Sequence, residues 1–319
     1  DDTMSKKKEL SLGVDPEPEV DPDTEFHPDK NSRSPYRTFV GALRAMICFF
    51  TVFRVRQSED DVMEDIECME THFWLAPVIG FIVGFIAMIV AASFGYLTKN
   101  SFVAIVFAIG TVFAISKFLH LDGLVDFGDS LVATGDTEKR IRALKDTNIG
   151  AGGMGVALIV TMISIASGST LGIFMIPVFW AAEIFAKNTM VVTAAKGLPG
   201  SGMASKQVEA TTKYDAMTST LLTVVLSFIV IVAGVMVMDL VDLTPYNYSD
   251  IVLPKLLPAL LAAMVVTFIV GRLIARTANR NLGFVNGDIL GAANEMGRAA
   301  CLITFLIVLK LLDAGIAGW

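Results

Sequence analysis

About seven apolar runs, each near the length that crosses a bilayer, dominate this chain: residues 75–97, 102–118, 154–176, 178–195, 221–240, 256–274 and 300–316. Roughly 20 apolar residues in a helix cover the ~30 Å hydrocarbon layer, and a helix satisfies its backbone polar groups internally. With 54% hydrophobic and 18% charged residues, the chain is too apolar for an ordinary soluble domain. The expected fold class is all-α: a polytopic integral membrane helical bundle of about seven transmembrane helices plus an N-terminal interfacial helix. That extra helix is residues 39–55, where Arg44 and Arg54 interrupt the apolar pattern and favour an amphipathic helix lying along the interface.

Residues 1–36 are polar, contain prolines and lack periodicity, so they are expected to form a disordered acidic cytoplasmic tail ahead of a membrane-embedded catalytic domain, 37–319. No cleavable signal peptide is expected before the first span. Alternate loops segregate charge. One set holds Lys139, Arg140, Arg142, Lys145, Lys196, Lys206, Lys213, Arg272, Arg276 and Arg280, whereas the other has little beyond Lys99 and Lys255. The positive-inside rule places the first set in the cytoplasm, which implies a multi-pass protein of the cell membrane. A net charge of −7 argues against nucleic acid as a partner. Cys48, Cys68 and Cys301 have no metal-ligand or disulfide spacing, and His27 and His72 lack partners at ligand spacing.

The charged motifs lie on the expected cytoplasmic side. HLDGLVDFGD, residues 120–129, places Asp122, Asp126 and Asp129 at i, i+4 and i+7, one helical stripe. Each carboxylate near mid-membrane would cost roughly 2.5–3.5 kcal/mol, and the three repel one another, which makes a divalent cation an economical explanation. A second cluster, Lys145-Asp146-Thr147-Asn148 followed by Gly150, Gly152 and Gly153, opens the next span. Glycines at a helix entrance let backbone amides approach an anion, so a phosphate could sit there against Lys145. Gly80 and Gly84, by contrast, read as helix-packing positions. The third cluster runs from Asn286 and Gly287 through Asp288 to Asn294 and Glu295, with Asp288 and Glu295 again at i and i+7.

Acidic stripes without His or Cys suit Mg²⁺, which prefers a few carboxylates together with substrate phosphates and water. Two such stripes beside a Gly-rich entrance suggest Mg²⁺ on a diphosphate and phosphoryl-transfer chemistry. His120 could assist proton transfer or orient Asp122. Glu183 and Lys187, at i and i+4, are expected to pair with each other.

Together, HLDGLVDFGD, KDTNIGAGG and NGDILGAANE resemble the cobalamin synthase family, the integral-membrane adenosylcobinamide-GDP ribazoletransferases. The resemblance runs from ALRAMICFFTVFRV to the final run and omits the tail. It implies a late step of coenzyme B12 assembly, in which adenosylcobinamide-GDP is joined to α-ribazole or its 5′-phosphate with release of GMP, in the presence of Mg²⁺. It places the acidic motif on Asp122, Asp126 and Asp129, the Lys-Asp pair on Lys145 and Asp146, and the Gly-Asp motif on Gly287 and Asp288. The expected catalytic residues are Asp122, Asp126, Asp288 and His120. Lys145, Asn148, Gly150, Gly152, Gly153, Asn286 and Gly287 would bind substrate, and Asp122, Asp126, Asp129, Asp146, Asp288 and Glu295 would supply metal ligands. Membrane lipid is an expected partner, and the resemblance admits a homo-oligomer or other corrinoid-assembly enzymes.

The chain departs from the family pattern at three places. Asn286 stands where Thr is common, Gly297-Arg298 where a second Glu is common, and Lys187 lies in the region where an Arg is common. Two other classes stay open on the residues alone: a CDP-alcohol-type membrane phosphotransferase, which would release CMP, and a cation- or proton-coupled transporter.

Overall fold

The apolar runs form helices in a computed structural model that describes residues 35–55, 59–240 and 248–314. The expected tail lies outside the described residues except at its last positions. Among the described residues the α-helices, in chain order, begin with α1 (Pro35–Phe50), α2 (Glu59–Thr71), α3 (Ala76–Thr98), α4 (Ser101–Ile115), α5 (Leu119–Val132) and α6 (Thr137–Leu144). They continue with α7 (Ala151–Thr170), α8 (Met175–Ala194), α9 (Met203–Ala210), α10 (Lys213–Leu240), α11 (Tyr248–Asn281) and α12 (Gly287–Ala314).

Among the described residues, five helical segments are long and apolar enough to cross a membrane: Phe73–Thr98, Ala151–Thr170, Met175–Ala194, Lys213–Met238 and Leu253–Asn281. The pair Ser101–Ile115 and Leu119–Val132, bent by 92°, makes a sixth if it counts as one span. Among the described residues the count is thus five or six by length and composition, beside about seven expected from the apolar runs. The run at 102–118 breaks at its end, and α12 carries Asp288, Glu295, Arg298, Lys310 and Asp313 along its length.

α8 is the axis of the bundle. Nearly nine-tenths of its span is buried against α3, α10, α11 and α12, whereas the spans on α7, α10 and α11 bury only about a third or less. Their outward faces carry exposed Leu158, Ile159 and Met162 on α7, Leu221 and Val225 on α10, and Leu261, Val265 and Ile269 on α11. Apolar surface on that scale is stable in lipid, not in water, so the fold is that of an all-α polytopic membrane protein. Close approach of α3 to α8 depends on glycine: a Cβ at Gly80 would lie 2.3 Å from the Glu183 carbonyl oxygen, and one at Gly84 would lie 2.8 Å from Trp180.

α1 is not among the helices long and apolar enough to span. It buries Ala42, Ala45, Met46 and Phe50, and its interrupting Arg44 forms a two-pronged ion pair with Asp65 on α2, at 2.9 Å and 2.8 Å. The break between α4 and α5 passes through Lys117 and Phe118, both non-glycine residues with left-handed backbones at φ 54° and 58°. That conformation costs on the order of 1–2 kcal/mol per residue. The break turns the chain so that the Asp-bearing α5 packs on α12 and α7 instead of extending α4.

Candidate active site

Two helices bring the acidic residues together because small residues line their contact. A Cβ at Gly123 of α5 would sit 2.5 Å from the Asp288 carbonyl oxygen of α12, and one at Gly291 would sit 3.2 Å from the His120 backbone. The crossing sets Asp288 beside the α5 stripe, where the charges of Asp122, Asp288 and Asp129 all bear on Asp126. Asp122 is exposed, while Asp126 and Asp288 are half-buried. Among the described residues no ion pair neutralises Asp122, Asp126 or Asp288. Asn286 holds Asp288 in place: its Nδ2 donates to Asp288 Oδ2 at 2.8 Å, and its Oδ1 accepts from the Ile289 amide at 3.2 Å, capping α12.

The third aspartate of the stripe does a different job. Asp129 Oδ2 accepts from the Gly150 amide at 2.8 Å and Oδ1 from the Gly153 amide at 2.7 Å, so this carboxylate caps the first turn of α7. The helix entrance expected to receive a phosphate holds the protein's own anion. Glycine is required there, since a Cβ at Gly150 would fall 2.2 Å from Asp129 Oδ1 and one at Gly153 2.3 Å from the Val125 carbonyl oxygen. In the same last turn of α5, Arg140 donates to the carbonyls of Ser130 and Leu131 at 3.2 Å and 3.0 Å. Both contacts fix the direction in which α5 presents Asp122 and Asp126.

Lys145, Asp146 and Asn148 lie exposed on the connector before α7. Asp146 Oδ1 accepts from the amide and the side chain of Asn148, both at 2.9 Å, and these bonds hold its carboxyl below the usual range.

Behind the acidic site is a buried polar network that joins α5, α8 and α12. Lys187 Nζ lies 2.7 Å from His120 Nε2 and donates to Asn294 Oδ1 at 2.7 Å. Asn294 Nδ2 donates to Glu295 Oε1 at 3.0 Å, and Arg298 bridges Glu295 and Glu183. The expected Glu183–Lys187 pair is therefore not formed: Glu183 takes the Arg298 guanidinium, whose planar fork reaches two carboxylates at once. Glu295, expected among the metal ligands, has its two oxygens committed to Asn294 and Arg298 and is almost fully buried. An ammonium has donors only, so with Lys187 charged, His120 Nε2 must be the acceptor and its ring proton sits on Nδ1.

Among the described residues no three His, Cys, Asp or Glu side chains form a ready-made metal cage. Mg²⁺ seldom uses one; it is held by one or two carboxylates and completed by substrate phosphates and water. Asp122, Asp126 and Asp288, unpaired carboxylates on two helices, fit that requirement. A cavity of about 260 Å³ opens beside Asp288 and His120. Sequence reasoning missed Phe49 and Phe50 on α1 and Gln207 on α9 as lining residues, because nothing local in those segments signals that they converge. Arg298 was the more legible omission, since it lies i+3 from Glu295 on the same helix.

A family model described as cobalamin-5-phosphate synthase matches residues 42–306. Proteins named adenosylcobinamide-GDP ribazoletransferase are similar along most of their length. The one from Methanosarcina barkeri is 32% identical over 272 residues, covering 80% of this chain and 89% of that protein. The one from Methanosarcina mazei is 30% identical over 269 residues with the same coverage, and that from Pyrococcus abyssi is 28% identical over 243 residues, covering 76% and 90%. No solved structure matches the chain at a significant level.

Proposed function

The chain belongs to the cobalamin-5-phosphate synthase family, a transferase of cobalamin biosynthesis, and from that premise we propose that it joins adenosylcobinamide-GDP to α-ribazole, or to α-ribazole 5′-phosphate, and releases GMP. The observation that carries this reading is the meeting of Asp122 and Asp126 on α5 with Asp288 on α12, unneutralised carboxylates of which Asp288 also lines a cavity.

In this reading Asp122, Asp126 and Asp288 would hold Mg²⁺ against the diphosphate. The ion, when bound, would supply charge neutralisation for the phosphoryl oxygens and the departing GMP. The ribose 3′-hydroxyl of α-ribazole attacks the phosphorus nearer the corrinoid. The new P–O bond forms as the bond to the bridging oxygen breaks, GMP leaves with that oxygen, and the hydroxyl proton passes to a carboxylate or to water. His120 orients the α5–α12 contact, because the Lys187 ammonium occupies its Nε2 lone pair. Lys145 and Asn148, exposed on the connector, meet the phosphates from the water side. The Lys/Arg asymmetry supports a cell-membrane location with this site facing the cytoplasm.

The test is direct. Purified protein is incubated with adenosylcobinamide-GDP, α-ribazole and Mg²⁺, and the joined corrinoid and GMP are measured by mass spectrometry. Release of CMP from a CDP-alcohol, with no corrinoid product, would move the chain to the related phosphotransferase class. A chiral-phosphate donor should show inversion at the transferred phosphorus, and net retention would require a covalent enzyme intermediate.

A further inference from the structure

The cavity beside Asp288 has a composition that selects among the groups of the two substrates. Its walls are mostly apolar, with Phe49 and Phe50 from α1, Met190 from α8 and Met203 from α9. Its polar side chains are few: Asp288 and Asn286 at the α12 entrance, His120, Ser201 and the side-chain amide of Gln207. Gln207 is only 3% exposed, and its Nε2 has no hydrogen-bond partner among the described residues. A buried amide donor left unsatisfied is destabilising and uncommon in proteins, and on a side chain that lines a cavity a small rotation brings it to an acceptor atom of a ligand.

We propose that this cavity binds the acceptor nucleoside, with its flat base among Phe49, Phe50, Met190 and Met203, the Gln207 amide donating to the bare ring nitrogen, and the ribose directed toward Asp288. The proposal rests on the ribazoletransferase reading and names the subsite of one of its substrates. A benzimidazole-type base fits on three counts. It is flat and apolar, suited to aromatic and thioether neighbours. Its ring nitrogen outside the glycosidic bond is an acceptor without a hydrogen, matching the unpartnered Gln207 donor. Guanine, the base of the other substrate, would also bury several N–H donors among walls that offer few acceptors, and a corrin ring is too large for about 260 Å³. The placement is chemically productive, because Asp288 lies both in this cavity and in the acidic cluster.

The test compares α-ribazole with the analogue in which the bare ring nitrogen is replaced by CH, a dimethylindole riboside. Binding is measured by titrating the fluorescence of the base against full-length protein in detergent, without the corrinoid substrate, for wild type and for Gln207→Leu. The wild type should prefer α-ribazole by on the order of tenfold or more, and Gln207→Leu should bind both ligands alike and weakly. In turnover, the variant should raise KM for α-ribazole while leaving KM for adenosylcobinamide-GDP unchanged. Ala204→Phe, which fills the same cavity from another wall position, should abolish nucleoside binding. Equal wild-type affinity for the two ligands, or α-ribazole binding that survives both substitutions, would overturn the proposal. Failure of the wild type to make any joined corrinoid would instead defeat the ribazoletransferase reading, so the two failures are distinct.

Discussion

Lys187 Nζ and His120 Nε2 face each other at 2.7 Å inside the bundle, each almost fully buried, with Asn294 as the second partner of the ammonium. The contact ties the central helix α8 to the first turn of α5 and fills the one imidazole nitrogen that could otherwise accept a substrate proton. His120→Asn should therefore reduce turnover by about tenfold through loosened packing, without changing the shape of the kcat–pH profile. Loss of a limb near neutrality in that variant would restore His120 to proton transfer.

Asp122→Asn and Asp126→Asn keep side-chain shape and remove charge. Each should lower turnover on the order of a hundredfold or more while the purified protein remains monodisperse with an unchanged unfolding temperature. Asp288→Asn should do the same. Chelation of divalent cations from the wild type should abolish turnover, and added Mg²⁺ should restore it. Near-normal rates in all three variants would make the stripe structural.

Asp129→Asn is expected to behave differently although it belongs to the same motif. Its amide NH₂ cannot accept, so one of the two α7 amides at Gly150 and Gly153 loses its partner, at a cost of about 1–3 kcal/mol. The unfolding temperature should fall together with activity, whereas the Asp122 and Asp126 variants should lose activity alone.

Arg298→Met would leave Glu183 and Glu295 buried without their cation, a loss of about 3–5 kcal/mol. The variant should be recovered mostly as aggregate on detergent extraction, and Arg298→Lys should rescue it in part, because a point charge cannot bridge both carboxylates as the fork does. Full recovery of the Met variant would show that the network contributes little.

Cysteines placed singly at positions 136, 205 and 280 in a background without native cysteines should react with an impermeant reagent only after the membrane is opened. One at position 99 should react in intact cells. Arg272, Arg276 and Arg280 with Lys196 line one groove of about 500 Å³, so the charge asymmetry of the sequence is also a spatial one. External labelling at 136 would invert the orientation.

The apolar runs revealed most of the helices, and the i, i+4 spacing of Asp122 and Asp126 placed them on one face, because both signals are local. Asp288 was legible as a motif, but its meeting with α5 depends on Gly123 and Gly291, whose role is visible only once two helices cross. Spacing could not separate Asp129 from its neighbours, since a cap and a ligand can share one stripe; only the position of α7 decides. The expected Glu183–Lys187 pair failed for the same kind of reason, as Arg298, distant in sequence, competes better for the glutamate.

The right-angle turn at Lys117 and Phe118 also bears on how the chain enters the bilayer during synthesis. The 15-residue arm before it is about 22 Å long at ~1.5 Å per residue, short of the full hydrocarbon thickness. A straight continuation would carry His120, Asp122 and Asp126 into the insertion machinery as part of a lipid-bound segment, each carboxylate opposing release into the membrane. With the turn, the nascent helix presents only Ser101–Ile115 for partitioning, and the charged segment can stay hydrated until α12, made much later, arrives to pack against it.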